Sequence, residues 1–324
     1  MSRRHKGGED GGVFEDTSGG AGGGLLPEAP PPGFRSGFVA VLGRPNVGKS
    51  TIVNALVGQK VSIVSDRPQT TRRRIAGVVD ALAFQLVLLD LPGFQKPFDA
   101  LTERMQRTVD ETLKEVDAAL VVLNAAEILG GGDRFILAAA QASETPFVVA
   151  LNKVDLVHGG RLQGALTASE TLAAPAAVLA VSAKTGHNLH LVLERLVESM
   201  PEGPRYFSSG EVSDQPLEML ITELVREQAL RRTREEVPHA LAVELSSLVE
   251  RQDKPLLEVE AIIIVESESQ KGIVIGRGGA VVKQIGTAAR REIEAILGTH
   301  VFLSLRVKVR RHWRRDDAYV ERLL

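Results

Sequence analysis

The sequence predicts a doubly wound α/β domain with a mostly parallel sheet, followed by a smaller α+β domain. Two observations predict the first domain. Apolar runs of strand length alternate with helical stretches, and the first run leads into a glycine-rich loop that ends at Lys49 and Ser50. One observation predicts the second domain: an α-β-β-α-α-β order surrounds another glycine-rich loop at residues 276–279. The 324 residues provide enough chain for two domains.

Composition excludes several kinds of site. The chain contains no cysteine, so disulfide partners, thiolate metal sites and cysteine nucleophiles are excluded. No apolar run approaches the ~18–20 residues that a membrane-spanning helix needs. The net charge is −2, but residues 271–324 carry 12 Lys or Arg against 5 Asp or Glu. This local excess predicts a surface that faces phosphate groups, with a solvated helix face as the alternative.

Composition also divides the chain. Residues 1–36 are rich in Gly and Pro and carry both charge signs, which predicts a disordered tail. Residues 201–216 (PEGPRYFSSGEVSDQP) are turn-rich and predict a linker. The predicted domains are therefore residues 37–200 and residues 217–324.

The apolar runs of the first domain predict strands that are covered on both faces, because they lack polar alternation. These strands are residues 38–42, 84–89, 118–123, 147–151 and 177–181, and the predicted helices are residues 50–57, 101–115, 133–142 and 188–198. In the second domain, the predicted helices are residues 217–232, 272–275 and 280–297, and the predicted strands are residues 240–249, 257–266 and 300–309.

The loop at residues 43–50 (GRPNVGKS) matches the phosphate-loop motif G-x-x-x-x-G-K-[ST], between a strand and a helix. Its glycines let backbone N–H groups turn towards phosphate oxygens, and the helix N-terminus favours negative charge. Lys49 is expected to reach the β- and γ-phosphates, and the Ser50 hydroxyl to bind Mg²⁺. A plain glycine turn is the alternative. The motif predicts nucleotide contacts from Gly43, Arg44, Pro45, Asn46, Val47, Gly48, Lys49, Ser50 and Thr51.

Two segments at strand ends predict that the base is guanine. In residues 152–155 (NKVD), the aspartate can accept hydrogen bonds from the N1–H and amino groups of guanine, whereas adenine would leave it unpaired. Residues 182–184 (SAK) follow the next strand and can offer a backbone N–H to the base oxygen. Each segment alone also fits an ordinary polar strand-to-loop transition. The predicted contacts are Asn152, Lys153, Asp155, Ser182, Ala183 and Lys184.

Residues 90–93 (DLPG) end another strand. Asp90 can hold Mg²⁺ through a water molecule, and the Gly93 N–H can sense the γ-phosphate; a type II turn is the alternative. Residues 68–72 (PQTTR) offer a threonine that can complete the Mg²⁺ shell. Thr71 is preferred to Thr70, and a solvated loop threonine is the alternative for both. The nucleotide contacts predicted around this turn are Asp90, Leu91, Pro92, Gly93 and Phe94.

The sequence contains no obvious general base. Ras-type GTPases orient the attacking water with a glutamine just after this turn, and the present chain has Phe94 there. Catalysis is therefore expected to depend on positioning and electrostatics from Lys49, Thr71, Asp90 and Gly93, together with Mg²⁺. Slow intrinsic turnover is the expectation.

The loop at residues 276–279 (GRGG) lies between a short apolar helix and a longer helix, after two strands. This arrangement is typical of a type II KH domain, in which glycines let an RNA backbone come close. A helix–turn–helix linker is the alternative. Trp313, within RRHWRR, fits packing slightly better than base stacking. The predicted RNA contacts are Gly276, Arg277, Gly278, Gly279 and Lys283.

Taken together, residues 36–324 resemble the Era family of bacterial ribosome-assembly GTPases. The resemblance depends on GRPNVGKST, VSIVSDRPQTTRRRIAGV, DLPGFQKPFDALTERM, NKVD, SAKTG and IIIVESESQKGIVIGRGGAVVKQIGTAARREIE. It implies binding near the 3′ end of small-subunit ribosomal RNA and a role in maturing the small ribosomal subunit. It also implies a cytoplasmic protein with some association with the cytoplasmic face of the inner membrane. Two positions depart from the family pattern: Leu91 replaces a threonine, and Gly278 replaces a common lysine, with Arg277 as partial compensation.

Asn46 leads to a hypothesis about a monovalent cation. In related GTPases that lack the catalytic glutamine, an asparagine at this position helps to hold K⁺ against the phosphates, where it neutralises charge in the transition state. An asparagine that stabilises its own turn is the alternative. Two other classes of function stay open: a metabolic phosphotransferase on the same scaffold, and an RNA-binding scaffold whose first domain is only structural.

Overall fold

The structure is a computed structural model, and it describes residues 30–67, 69–94 and 99–323. Residues 1–29 of the predicted tail, Pro68 of the 68–72 motif and residues 95–98 lie outside the described part of the chain. Among the described helices, none combines the length and the apolar character that crossing a bilayer requires.

The described part of the first domain contains β1 (Arg35–Leu42), α1 (Lys49–Val57), β2 (Ile75–Asp80), β3 (Phe84–Asp90), α2 (Ala100–Thr112), β4 (Ala118–Asn124), α3 (Gly131–Ala142), β5 (Phe147–Asn152), α4 (Gly160–Ala173), β6 (Val178–Ala180) and α5 (Leu189–Glu198). The strands form one sheet in the order β2-β3-β1-β4-β5-β6. All neighbours are parallel except β2, which is antiparallel to β3 at one edge. The predicted doubly wound, mostly parallel sheet is confirmed.

Helices cover both faces of this sheet. On β1, Val39 and Val41 pack in the cluster that includes α1 and α5, whereas Ala40 and Leu42 pack in the cluster that includes α2, α3 and α4. Successive side chains of a strand point to opposite faces, so a strand covered twice must be apolar throughout. Every residue of β4 is accordingly buried.

Three elements of this domain differ from the sequence-based prediction. β1 begins at Arg35 rather than at residue 38, inside the predicted tail, because Arg35 pairs with Phe84 of β3. The edge strand β2 was missed, since its sequence IAGVVD is short and ends in a polar residue. Helix α4 was also missed. Its only buried residues are Ser169 and Ala173, so it carries no strong apolar period.

Residues 201–216 form an irregular segment that is fixed to the first domain. The Val78 N–H donates to the carbonyl oxygen of Val212 at 2.9 Å, so the segment covers the free edge of β2. Buried Gln85 on β3 accepts hydrogen bonds from the N–H groups of Tyr206 and Phe207 at 2.8 and 3.0 Å. The predicted linker is therefore packed against the sheet.

The second domain contains α6 (Leu217–Arg232), β7 (Ala242–Glu250), β8 (Leu256–Val265), α7 (Glu268–Ile275), α8 (Ala280–Leu297), β9 (His300–Val309) and α9 (Asp317–Leu323). Its sheet has the order β7-β8-β9, with β7 antiparallel and β9 parallel to β8. The α-β-β-α-α-β order that predicts a KH domain is confirmed, and α9 is an additional element that was not predicted. Helices α6, α7 and α8 supply the core against one face of the sheet.

The two domains share hydrophobic clusters. Ile63 packs in a cluster with residues of α6, and Leu101 and Met105 of α2 pack around Trp313. Ile63 precedes the 68–72 motif and α2 follows the 90–93 motif. The second domain therefore contacts residues that lie close in the chain to both motifs.

Candidate nucleotide-binding and nucleic-acid-binding sites

The phosphate loop connects β1 to α1, and two of its glycines have no substitute. Gly48 has a φ of 103°, and a Cβ atom there would lie 2.3 Å from Nδ2 of Asn152. Gly43 has a φ of 152°, and a Cβ atom there would lie 2.6 Å from the carbonyl oxygen of Val122. Because any side chain would collide, the loop can pass close to β4 and β5 only as glycine.

Lys49 is buried inside this loop. Its Nζ donates to the carbonyl oxygens of Gly43 and Arg44, each at 3.1 Å. Burial lowers the pKa of Lys49 to about 8, although the nearby carboxylate of Asp90 acts in the opposite direction. An ammonium group held by neutral carbonyls in a desolvated loop is well suited to an anionic phosphate.

Three side chains from distant segments converge beside Lys49. The Ser50 hydroxyl donates to Oδ2 of Asp90 at 2.6 Å, and Thr71 Oγ1 lies 3.1 Å from the same oxygen. Burial raises the pKa of Asp90, and Lys49 opposes this effect. Oδ1 of Asp90 is buried and makes no hydrogen bond to any described residue. Two hydroxyls and a carboxylate with an unused oxygen fit Mg²⁺, which prefers hard oxygen ligands and keeps several waters.

The two candidate threonines have different surroundings. Thr71 is 5 % exposed and points at Ser50 and Asp90. Thr70 instead donates from Oγ1 to the carbonyl oxygen of Arg67 at 2.6 Å, within its own loop. The arrangement thus favours Thr71 as the hydroxyl nearest to a metal at this site.

The 90–93 turn packs directly on the phosphate loop. A Cβ atom on Gly93 would lie 2.8 Å from the backbone nitrogen of Pro45, and the Phe94 N–H donates to the Gly43 carbonyl at 3.1 Å. Leu91 is fully buried, and the Phe94 ring stacks against Phe135 at 5.0 Å between centroids. Phe94 therefore presents no hydrogen-bonding side chain to the site, as the sequence indicates.

The segments predicted to read the base meet at the carboxyl ends of β5 and β6. Nδ2 of Asn152 donates to the Val47 carbonyl at 2.9 Å, and its Oδ1 accepts from the Ala183 N–H at 3.0 Å. Asn152 therefore ties the phosphate loop to residues 182–184. The Ser182 hydroxyl donates to Asp155 at 2.7 Å, which orients the carboxylate, and Lys153 Nζ donates to the Asn46 carbonyl at 2.6 Å.

A pocket lies over the phosphate loop. One wall of the pocket consists of residues 63–67, which were not predicted from the sequence and which line it together with Lys49, Ser50 and Thr71. Nδ2 of Asn46 donates to the Asp66 carbonyl at 2.7 Å, so this wall is hydrogen-bonded to the loop. The polar stretch SDR before the 68–72 motif was the available signal.

Arg44 belongs to the phosphate loop, but its side chain turns away from the pocket. Its guanidinium contacts Asp133 at 2.8 Å and Glu127 at 2.7 Å. Asp133 is fully buried and also accepts from the Gly130 N–H, so it fixes the start of α3. Only the backbone of Arg44 faces Lys49. No local pattern in the sequence predicts these two carboxylate partners.

The GRGG loop joins α7 to α8 in a conformation that needs glycine. Gly276 has a φ of 72°, and a Cβ atom there would lie 2.5 Å from Cγ2 of Val281. Gly278 and Gly279 have φ values of 60° and 79° and have open space around them. Arg277 and Lys283 are exposed, and Lys283 lines a groove between α8 and β9. An extended polyanion can reach both the open loop and this groove.

Trp313 is fully buried, as its predicted packing role requires. Its Nε1 donates to the Ala240 carbonyl at 2.9 Å, and the Arg72 guanidinium lies 5.5 Å from its ring centroid. The ring therefore lies at the contact between the two domains, away from solvent and from any base-stacking position.

Two family models match the chain. The model described as a 50S ribosome-binding GTPase matches residues 38–153, and the model described as a KH domain matches residues 236–314. The first range contains the phosphate loop and the 90–93 turn, and the second contains the GRGG loop.

Curated proteins and solved structures match over nearly the full chain. GTPase Era of Mycolicibacterium smegmatis is 46% identical over 294 residues, 90% of this chain and 98% of that protein. GTPase Era of Mycobacterium tuberculosis is 45% identical with the same coverage. A variant of Aquifex aeolicus Era bound to GDP and AlF4⁻ is 35% identical with a TM-score of 0.86, covering 90% of this chain and 99% of that one. A crystal structure of Era with MgGDPNP and nucleotides 1506–1542 of 16S ribosomal RNA is also 35% identical, with a TM-score of 0.85, covering 90% and 98%.

Proposed function

The chain belongs to the Era family of GTPases. We therefore propose that it is a GTP-driven switch that binds small-subunit ribosomal RNA near its 3′ end and assists maturation of the small ribosomal subunit. Its enzymatic activity is the hydrolysis of GTP to GDP and phosphate. The proposal is carried by one observation: the segment around Thr71 contacts the phosphate loop on one side and the KH domain on the other. Thr71 contacts Ser50, and the neighbouring Arg72 donates to the Leu241 carbonyl at 2.8 Å.

In the proposed mechanism, water attacks the γ-phosphorus in line with the bond to the β-phosphate oxygen, which breaks as GDP leaves. Mg²⁺, when bound, would supply positive charge that offsets the negative charge of the phosphates. Ser50 and Thr71 would direct hydroxyl oxygens towards the metal, and Asp90 would hold it through water. Lys49 and the Gly93 N–H neutralise charge that develops on the phosphates. Phe94 and Leu91 are both buried and supply no hydrogen-bonding side chain to orient the attacking water.

Guanine recognition is assigned to the carboxylate of Asp155. Its contact with the Ser182 hydroxyl supports this assignment, because a carboxylate with one oxygen already fixed presents the other in a defined direction. Neighbouring residues hold the base-facing loops against the phosphate loop or offer backbone N–H groups. They are Asn152, Lys153, Ala183 and Lys184.

RNA binding is assigned to the GRGG loop and Lys283. The excess of positive charge in residues 271–324 supports this assignment, since phosphate contacts supply much of the affinity of such surfaces. An Era structure contains 16S ribosomal RNA nucleotides, so the chemistry of the ligand is a ribosomal RNA strand near its 3′ end. For the domains we keep the limits 201–216 and 217–324 and move the start of the first domain from residue 37 to Arg35, where β1 begins. The two family models, at residues 38–153 and 236–314, lie within the first and the last of these ranges.

Two finer parts of the proposal concern a second cation and the membrane. Asn46 is proposed to help hold K⁺ beside the phosphates. Its hydrogen bond to the Asp66 carbonyl supports this idea, because it places a carbonyl oxygen next to Asn46 at the edge of the pocket. We also propose a cytoplasmic protein with peripheral contact to anionic lipid, as the family resemblance implies. Sedimentation with anionic vesicles, compared with neutral vesicles, tests the membrane contact.

The experiment that tests the proposed function is RNA crosslinking with GTP and with GDP, mapped on the small subunit. Crosslinks near the 3′ end of the small-subunit RNA that depend on the nucleotide are the expected result. A nucleotide-independent pattern would instead favour an RNA-binding scaffold. GTP hydrolysis without any small-molecule acceptor separates the GTPase from a metabolic phosphotransferase, which requires an acceptor.

A further inference from the structure

We propose that Arg226, a residue of the KH domain, is a positioning residue of the GTPase centre. It holds the segment that carries Thr71 in the place where Thr71 meets Ser50 and Asp90. This inference rests on the proposed role of Thr71 as a metal ligand. It adds a residue from the second domain to the hydrolytic site of the first domain.

The contacts of Arg226 lead directly to the residues that precede Thr71. Arg226 lies on α6, and its side chain is 3% exposed. Its Nη2 donates to the Thr70 carbonyl, and Nη1 donates to the Gln69 carbonyl at 3.4 Å. Glu223, one turn earlier on α6, accepts from Nε of Arg226 at 2.8 Å and so fixes the plane of the guanidinium. A planar guanidinium held in this way binds two successive carbonyls in a fixed geometry, which the flexible ammonium of a lysine does not impose.

Arg226 holds a backbone conformation that is unfavourable for residues other than glycine. Gln69 is not a glycine, yet its φ is 61°, in the left-handed region. Such a conformation persists where its surroundings impose it, and such residues are concentrated at switches and ligand-binding loops. Gln69 is also buried, with its carbonyl directed at Arg226. The guanidinium therefore supplies the contact that the strained turn requires.

The other side of Thr71 is held by the same domain. Arg72 is buried, and its guanidinium donates to the carbonyls of Leu241 and His239 at 2.8 and 3.4 Å. Thr71 is thus flanked on both sides by hydrogen bonds to the KH domain, while its own hydroxyl faces Asp90. Because consecutive Cα atoms are separated by a fixed distance, a shift at residue 70 must move residue 71.

The test compares three variants of the full chain: Arg226→Ala, Arg226→Lys and, as a matched control, Arg232→Ala. Arg232 lies on the same helix but donates only to Gln228 on α6, so its loss leaves the Thr71 segment untouched. The measurements are kcat, KM for GTP, the Mg²⁺ concentration at half-maximal rate, and affinities for GDP and for RNA.

For Arg226→Ala, kcat is expected to fall by about 10-fold to 100-fold, as for a misplaced group near a reaction centre. The Mg²⁺ concentration at half-maximal rate should rise, while GDP affinity stays within about twofold, because the phosphate loop and base contacts are intact. Arg226→Lys should restore part of the rate, and Arg232→Ala should match the parent protein. If Arg226→Ala does not fold, Arg226→Lys carries the test, with a smaller loss of kcat and the same rise in Mg²⁺ demand.

A double-mutant cycle with Thr71→Ala decides whether Arg226 acts through Thr71. If it does, adding Arg226→Ala to Thr71→Ala changes kcat little, since the group to be positioned is already gone. An equal loss of kcat in both backgrounds, or parental kinetics for Arg226→Ala, overturns the inference. The parent protein separates this failure from that of the proposed function: a parent that hydrolyses no GTP refutes the function, whereas an active parent with unaffected Arg226 variants refutes only the role of Arg226.

Discussion

Thr71 and Ser50 are joined through their hydroxyls: Oγ1 of Thr71 lies 2.9 Å from Oγ of Ser50, and both contact Oδ2 of Asp90. The three residues come from the segment after α1, from the phosphate loop and from the end of β3. Their convergence produces a compact set of hard oxygen ligands next to the buried ammonium of Lys49. Because each of these three residues belongs to a different segment, the geometry of the site depends on the position of all three segments.

The two threonines of the 68–72 motif are expected to differ in their effect on hydrolysis. Thr71→Ala should lower kcat by about 100-fold and raise the Mg²⁺ requirement, because it removes a group that stabilises the charged transition state. Thr70→Ala is the matched control and should retain most of the activity, since its hydroxyl contacts only its own loop. Steady-state hydrolysis across a Mg²⁺ series measures both. A larger loss of kcat in the Thr70 variant would indicate that Thr70, and not Thr71, contacts the metal.

Guanine specificity is expected to depend on Asp155. Asp155→Asn should weaken GTP binding by roughly 100-fold, because an amide nitrogen faces the donors of guanine where the carboxylate accepted from them. Xanthine carries an acceptor in place of the exocyclic amine, so the variant should prefer xanthosine triphosphate. Competition of GTP and of xanthosine triphosphate against a fluorescent GDP measures this change in base preference. Unchanged GTP affinity would remove Asp155 from the recognition of the base.

RNA affinity is expected to depend on the GRGG loop without affecting nucleotide binding. Arg277→Asp combined with Gly279→Asp should abolish RNA binding and leave GTP affinity intact, since both residues are remote in the chain from the phosphate loop. Lys283→Ala should weaken binding to all RNA sequences and reduce the slope of log K against log salt by about 0.7. Fluorescence anisotropy at several salt concentrations measures both effects. A double variant with parental RNA affinity contradicts the KH assignment.

Potassium is expected to accelerate hydrolysis relative to sodium at equal ionic strength. A gain of about tenfold corresponds to ~1.4 kcal/mol of transition-state stabilisation. Asn46→Ala should remove the difference between the two salts with little loss of GDP affinity. Phosphate release in parallel KCl and NaCl series provides the measurement. Equal rates in both salts would contradict a role for K⁺ in hydrolysis and would indicate an activating group from RNA or a partner protein.

The packing of Trp313 leads to a prediction about stability. Trp313→Ala should lower the free energy of unfolding by about 3–5 kcal/mol, because it leaves a cavity and an unpaired Ala240 carbonyl at the domain contact. Phe302→Ala is the control: Phe302 is 61% exposed on β9, and its loss should change the same quantity by about 0.5 kcal/mol or less. Urea unfolding followed by circular dichroism compares them. Equal effects would mean that Trp313 does not anchor the contact.

Much of the fold could be predicted because its elements carry local patterns. The apolar strands β1, β3, β4 and β5 are buried on both faces, so their sequences are nearly continuous apolar runs. The elements that were missed lack such a pattern. Edge strand β2 is short, α4 buries only Ser169 and Ala173, and α9 is a short helix at the domain contact. Their conformations depend on neighbours that are distant in sequence.

The candidate site shows the same division. The sequence by itself determined the phosphate loop, because a strand, a tight glycine turn and a helix form within a single continuous segment. Gly48 in that turn has a φ of 103°, which favours glycine. It also determined the choice of hydroxyl, carboxylate and ammonium groups. These residues are chemically suited to phosphate and Mg²⁺ before any fold is known.

Only the tertiary structure decided which groups meet. Residues 63–67 close over the loop, Arg44 binds Asp133, and Arg226 reaches the carbonyls beside Thr71 from 156 residues away. No local pattern encodes these contacts, because a hydrogen bond between distant segments depends on how the hydrophobic clusters bring the domains together. Here the clusters around Ile63 and Trp313 set that arrangement, and the polar contacts of the switch segment follow from it.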